Sequence, residues 1–347
     1  MQATLTIDLN AIVDNWRALD ALSKATVETG AVIKADAYGL GVARVGPALA
    51  KAGVKSFFVA QAEEAVALRA ALGPEPTIYN FSGLMPGDES AVTEHAMVPV
   101  LNSAAQVKTF AAKLKGLPSA IQLDSGMNRL GMEPLEAASV ALDILALRPK
   151  LVMSHLACAD EPLHPMNAGQ LTAFTTLTFA MPTTRKSLSA TGGILLGAPF
   201  HFDLTRPGIG LYGGLPFKDA CPVVQLDLPV VQVRDVMPGE GVGYGATWIA
   251  SRPSKIATVS GGYADGILRA SNGISLYAGS TPCPVVGRVS MDLLTVDITG
   301  LQEHPQSLSL LNPMQTVDVL ANKAGTIGYE VLTSLGARYN RVYKGES

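Results

Sequence analysis

Short apolar runs alternate with longer amphipathic stretches from residue 31 to residue 212, and this alternation limits the folds open to the chain. The runs cover 31–33, 57–60, 77–80, 97–101, 120–124, 151–155, 186–189 and 208–212. Between them, 43–52, 63–72, 103–114, 135–147 and 168–179 repeat apolar residues at helical intervals, with charge on the other side. Strand–helix alternation repeated about eight times predicts an N-terminal (β/α)8 barrel of the TIM type. A doubly wound sheet is the rival. It usually has fewer strands, and no GxGxxG follows the first strand here.

After Gly214 the texture changes. Pro and Gly become frequent, helical periodicity fades, and short β-type runs appear at 223–233, 255–259, 274–277, 284–289, 293–298 and 316–320. The expected organisation is a barrel over 9–214 and a C-terminal, mostly antiparallel β domain over 215–347, joined by a first strand within 1–8. With 347 residues, 48% of them hydrophobic, two such domains can each bury a core.

Charge and cysteine usage exclude several classes. A net charge of −3, with acids and bases mixed along the chain, offers no basic stripe for nucleic acid. Cys158, Cys221 and Cys283 are far apart and odd in number, which fits neither a disulfide framework nor a CxxC metal site and points to a reducing cytoplasm. No metal is expected. The first sixteen residues carry Asp8 and Asp14 and no basic leader, so they do not read as a secretory signal. Mean hydropathy is positive. Yet the longest stretch without Asp, Glu, Lys or Arg, 162–184, is broken by prolines and rich in Thr, Asn and Gln. No membrane span is expected.

In such a barrel, chemistry collects where strands end. Lys34 ends the first strand, in AVIKADAYGLG. A lysine there loses hydration, its pKa falls, and its free amine can form a Schiff base with a carbonyl. Arg129 follows the fifth strand in QLDSGMNRLG, His155 ends the sixth, the segment 189–193 follows the seventh, and Arg206 leads into the eighth. Each has an ordinary explanation: an ion-pair partner, a core histidine, a loop anchor. Their joint placement on one rim is what points to a site.

These motifs, together with RPGIGLYG at 206–213 and GYGATW at 243–248, occur in one order along almost the whole chain. The sequence resembles the alanine racemases, which use pyridoxal 5'-phosphate, and the resemblance implies the rest. Lys34 matches the lysine that holds the cofactor and serves as one catalytic base. Tyr244 matches the opposite base, contributed by the partner subunit of a homodimer. Two bases on opposite faces of a planar carbanion explain inversion at Cα. Free lysine and tyrosine titrate near ~10, so Lys34 is expected to be lowered by burial and the cofactor, and Tyr244 by cationic surroundings.

Arg206 matches the arginine facing the pyridine nitrogen. It can only donate, which keeps the ring a weaker electron sink than a carboxylate partner would. Tyr38, Thr191, the amides of Gly208 and Ile209, and Tyr329 match phosphate contacts, with Thr191 where the family usually has serine. Arg129 matches a residue contacting the substrate carboxylate, and Met291 a partner-subunit residue whose backbone meets it. His155 resembles a histidine beside the ring, linked to Arg206 and the catalytic tyrosine. Tyr263 and Asp292 match positions at the substrate entrance. Gln122 stands where many relatives carry a lysine modified by carbon dioxide, so Arg129 is held either by a weaker hydrogen bond or by another anion.

The implied activity is interconversion of L- and D-alanine, an isomerase reaction feeding peptidoglycan. Racemisation of other small amino acids, such as serine, is the first alternative. A decarboxylase on the same barrel is the second, and Arg206 argues against it.

Overall fold

A computed structural model describes residues 2–181, 184–271 and 273–345. The chain divides into two compact units, Ile12–Ala220 and Met1–Ala11 with Cys221–Ser347.

The first unit carries seven parallel strands in sequence order: Ala31–Val32, Ser56–Val59, Thr77–Asn80, Met97–Leu101, Ala120–Gln122, Leu151–Met153 and Arg185–Ser187. The strands Ser56–Val59, Met97–Leu101, Ala120–Gln122 and Leu151–Met153 are buried along their whole length, as expected when helices cover one face and the barrel interior the other. An eighth strand, Leu204–Thr205, pairs in parallel with Glu28–Thr29. It closes the ring. Arg206 N donates to Ser189 O (2.8 Å) on one flank, while Gly30 N donates to Thr205 O and Val32 N to Pro207 O (both 2.9 Å) on the other.

The run 208–212, expected as the eighth strand, instead forms a 3-10 turn over Ile209–Tyr212. Thr191 Oγ1 accepts the amides of Gly208 (3.1 Å) and Gly210 (3.2 Å), which curls the backbone away from the ladder. The helix expected over 135–147 is broken at Val140 into Pro134–Ser139 and Ala141–Leu147. A short helix, Glu89–Glu94, fills the connection that carried no helical period in the sequence.

The second unit is an eight-stranded sheet, mostly antiparallel. The long strand Val224–Val236 is its spine, pairing with Thr4–Asp8, Ser307–Leu311 and Ser254–Ser260. Asn340–Lys344 adds in parallel outside Thr4–Asp8. The stretch 316–320, expected as a strand, begins the helix Val317–Ala324. Thr316 caps it through its side chain, and Val317, Leu320 and Ala321 form its buried face. The strand expected over 284–289 lies earlier, at Thr281–Pro284, and only a bridge from Val285 to Val296 continues it. Among the described residues no helix is long and apolar enough to cross a membrane.

Candidate active site

Lys34 stands at the end of the first parallel strand, where the backbone turns sharply. Ala35, Asp36, Ala37 and Tyr38 all have φ between 52° and 56°, a complete left-handed helical turn built without glycine. Each such residue costs roughly 1–2 kcal/mol relative to the right-handed form. The turn is therefore held by its surroundings. The Glu64 carboxylate accepts the amides of Ala35 (2.6 Å), Ala60 (2.7 Å) and Gln61 (3.2 Å). Asp36 accepts the Val42 amide at 2.7 Å and closes the loop behind it. Four residues of one hand carry the chain from Lys34 to Tyr38, whose ring stacks on Tyr212 at 4.5 Å between centroids. Tyr212 in turn donates to Val32 O at 2.9 Å, back on the strand that bears Lys34.

The charges at this rim act on one another. Lys34 is pushed below the usual lysine range, first by burial and then by the Arg129 guanidinium, with Glu64 pulling weakly the other way. His155 is driven down to about 3 by burial, with Arg206, Arg129 and Lys34 adding to it. Its ring is therefore neutral at any physiological pH. Arg206 is 1% exposed. Its guanidinium donates to Ser187 Oγ and to Ser154 O (2.8 Å), and lies 5.9 Å from the centroid of the Phe58 ring. Burial lowers it to about 9, which still leaves it a cation at neutral pH. The guanidinium bonds of Arg206 go to Ser187 and Ser154, and its charge helps lower His155.

A cradle lies beside the lysine. Thr191 Oγ1, the amides of Gly208 and Gly210, and the Tyr38 hydroxyl converge. A Cβ built on Gly208 would lie 2.5 Å from Tyr38 Oη, so only glycine admits both groups here. Hydroxyls and amides on glycine-bearing backbone suit a phosphate dianion. With a lysine of lowered pKa next to it, the donor set fits pyridoxal phosphate: an amine for its aldehyde, neutral donors for its phosphate, and a buried cation, Arg206, for its ring nitrogen. Among the described residues no cluster of His, Cys, Asp and Glu is arranged to hold a metal.

Lys34, Tyr38, Arg129, His155, Thr191, Arg206, Gly208 and Ile209 thus all fall in the first unit. Tyr244, Tyr263, Met291, Asp292 and Tyr329 fall in the second. Tyr244 is 73% exposed. It opens a 3-10 turn, Tyr244–Ala246, after Gly243 at φ 72°. A Cβ on neighbouring Gly245 would lie 3.9 Å from the Arg288 guanidinium, so a cation accompanies this turn. Tyr263 and Met291 stand on two loops zipped together: Tyr263 N donates to Ser290 O, Ala264 N to Met291 O (both 3.0 Å), and Gly261 N to Asp292 O (2.8 Å). Arg338 clasps the same loops, pairing with Asp265 (2.6 Å) and Asp292 (2.8 Å).

Glu64, Ser187, Ser154 and Arg338 were not singled out from the sequence. Glu64 carried a signal, a carboxylate in the first turn of a helix, but its contact with Ala35 spans 29 residues and no local pattern reveals it.

Residues 7–216 match the family model for the alanine racemase N-terminal domain, and residues 223–343 the one for the C-terminal domain. Alanine racemase of Ruegeria sp. (strain TM1040) is 60% identical over 343 residues, spanning 98% of this chain and 99% of that protein. Alanine racemase of Rhodospirillum rubrum is 45% identical over 99% of this chain and 96% of its own. Among solved structures, alanine racemase from Bartonella henselae with covalently bound pyridoxal phosphate superposes with a TM-score of 0.93 at 38% identity, covering 99% of both chains. The biosynthetic alanine racemase from Pseudomonas aeruginosa gives a TM-score of 0.92 at 34% identity, again over 99% of both.

Proposed function

The chain belongs to the alanine racemase family, and on that premise we propose that it interconverts L- and D-alanine, using pyridoxal phosphate, with Lys34 and Tyr244 as the two proton-transferring residues. The observation that carries this reading is the rim of the first unit: a lysine of lowered pKa, a hydroxyl-and-amide cradle and a buried arginine at neighbouring strand ends.

When bound, pyridoxal phosphate supplies the electron sink that makes the proton on the substrate Cα removable. Lys34 Nζ takes that proton from one face, or returns it, because burial and Arg129 favour its neutral form. Tyr244 Oη does the same from the other face, brought by the partner in a homodimer. Arg206, donating to Ser187 and Ser154, holds a fixed positive charge where the ring nitrogen would sit and cannot hand it a proton readily. Tyr38, Thr191, Gly208, Ile209 and Tyr329 bind the phosphate. Arg129 and the Met291 backbone bind the substrate carboxylate, while Tyr263 and Asp292 line the entrance. On this reading 9–214 is the cofactor-binding domain, 215–347 with the first strand supplies the opposite base, and the enzyme works in the cytoplasm to feed peptidoglycan.

The test uses purified protein loaded with pyridoxal phosphate, given L-alanine and L-serine separately, with chiral analysis of the products. D-alanine formation is expected. Lys34→Ala should lose both the cofactor's visible absorbance and racemisation; Tyr244→Phe should keep the colour and lose racemisation. Wild-type rates in both directions for Tyr244→Phe would overturn the two-base assignment.

A further inference from the structure

Arg129 presents a puzzle of placement. Its side chain is exposed, and no acceptor among the described residues holds its guanidinium. Yet its charge bears on both Lys34 and His155. Gln122 is buried, and no hydrogen bond among the described residues joins it to that guanidinium. Its Nε2 donates instead to the carbonyl of Leu130, at 3.1 Å.

The backbone around Arg129 is tied down on both sides. Asp124 N donates to Met132 O (2.9 Å) and Met132 N to Gln122 O (3.0 Å), which closes the base of the loop. The Asp124 carboxylate then accepts three consecutive amides: Gly126 (2.7 Å) and Met127 (2.8 Å) on Oδ1, and Asn128 (2.8 Å) on Oδ2. That wrap comes with positive φ at Gly126 (126°) and Asn128 (56°), and the three hydrogen bonds to the carboxylate hold it. Ser125 Oγ shares a hydrogen bond with Ser154 Oγ at 2.8 Å, which moors the loop to the next strand end. Arg129 sits between a residue held by Asp124 and one held by Gln122.

We propose that Asp124, with Gln122 as its second tether, is the positioning residue of Arg129, aiming the guanidinium through the backbone rather than by touching it. This rests on the reading of Arg129 as the substrate-carboxylate contact. Asp124→Asn is isosteric but replaces one acceptor oxygen with an NH2 group, which faces an amide N–H and breaks the wrap on one side.

The experiment measures binding of propionate, a carboxylate without an amine, to the pyridoxal-phosphate-loaded enzyme by calorimetry. Four proteins are compared: wild type, Asp124→Asn, Arg129→Ala and the double variant. Asp124→Asn is expected to weaken propionate about 10-fold, Arg129→Ala at least as much, and the double variant no more than Arg129→Ala within about twofold, because the first acts through the second. KM for alanine should rise in parallel with the propionate constant, while kcat moves less than about threefold. If Asp124→Asn binds propionate as the wild type does, or if the two effects multiply in the double variant, the positioning role is overturned. If Arg129→Ala leaves propionate binding unchanged, the Arg129 reading itself fails, and the proposal with it. Should Asp124→Asn not fold, Gln122→Ala decides: a loss of about threefold that disappears in the Arg129→Ala background supports the tether, and no loss refutes it.

Discussion

Acidification probes the cationic rim through His155. The ordinary histidine value is 6.5, and here burial, then Arg206, Arg129 and Lys34, bring it to about 3. At ~1.4 kcal/mol per pH unit, that gap means protonating this ring in the folded chain costs about 5 kcal/mol more than in the unfolded one. Between these values the unfolded chain holds a proton at 155 and the folded chain does not. Stability therefore falls as pH falls from 6.5 to about 3, and this group contributes nothing to pH dependence above that window. At pH ~5 the loss from His155 alone is about 2 kcal/mol.

The direct assay is ring-proton NMR. The chain has five histidines, so comparison with His155→Gln assigns the resonance. It should stay flat from pH ~8 to ~5 while an ordinary histidine moves through its midpoint near ~6.5. Arg129→Ala should raise the His155 midpoint without restoring 6.5, because burial is the larger cause. In parallel, His155→Gln should lose less stability than the wild type on acidification over that window. A His155 midpoint above pH ~5.5, or an equal acid loss in both proteins, would refute the reasoning about the pocket's electrostatics.

Two further outcomes follow from the backbone. Gly208→Ala places a methyl 2.5 Å from Tyr38 Oη; it should weaken pyridoxal phosphate binding at least about 10-fold by equilibrium dialysis while the fold survives, and unchanged affinity would remove the cradle from the phosphate. Ala35→Gly relieves one left-handed residue whose side chain is exposed; it should stabilise the protein by about 0.5–1 kcal/mol after glycine's own entropic cost, read as a higher unfolding midpoint, and a lower midpoint would show that the turn carries no strain.

The parallel half was legible because its signal is local and repeated. Apolar runs of strand length and amphipathic stretches between them mark most elements to within a few residues, from Thr77–Asn80 to Met97–Leu101. Reading failed where a distant group overrides local pattern. Thr191 lies 17 residues from Gly208, and its hydroxyl turns an apolar run into a 3-10 turn. It failed again where a strand lacks β-type residues. Thr281–Pro284 holds two prolines and survives because it is the end strand of its sheet, where a missing N–H costs least. Asn340–Lys344 is a mostly polar strand at the opposite end of the same sheet. In the site, Lys34 announced itself as a charge at an apolar strand end and Arg206 as a charge leading into an apolar run, although that run is a 3-10 turn. The carboxylates that support the rim did not, since Glu64 reaches 29 residues to its amide.

Those carboxylates explain how so many cations share one rim without being cancelled. Glu64 spends its oxygens on the amides of Ala35, Ala60 and Gln61, and Asp124 on those of Gly126, Met127 and Asn128. Asp36 accepts the amide of Val42. An acid placed to pair with Lys34, Arg129 or Arg206 would have raised the lysine and neutralised the guanidinium groups. Turned into the backbone, each acid instead stabilises a turn of uncommon hand. Glu64 still pulls on Lys34, but behind burial and Arg129. The neutral His155 adds no further charge. Among the described residues, no carboxylate pairs with the guanidinium groups of Arg129 and Arg206. The exposed guanidinium of Arg129 is thereby left available to an anionic group such as a substrate carboxylate.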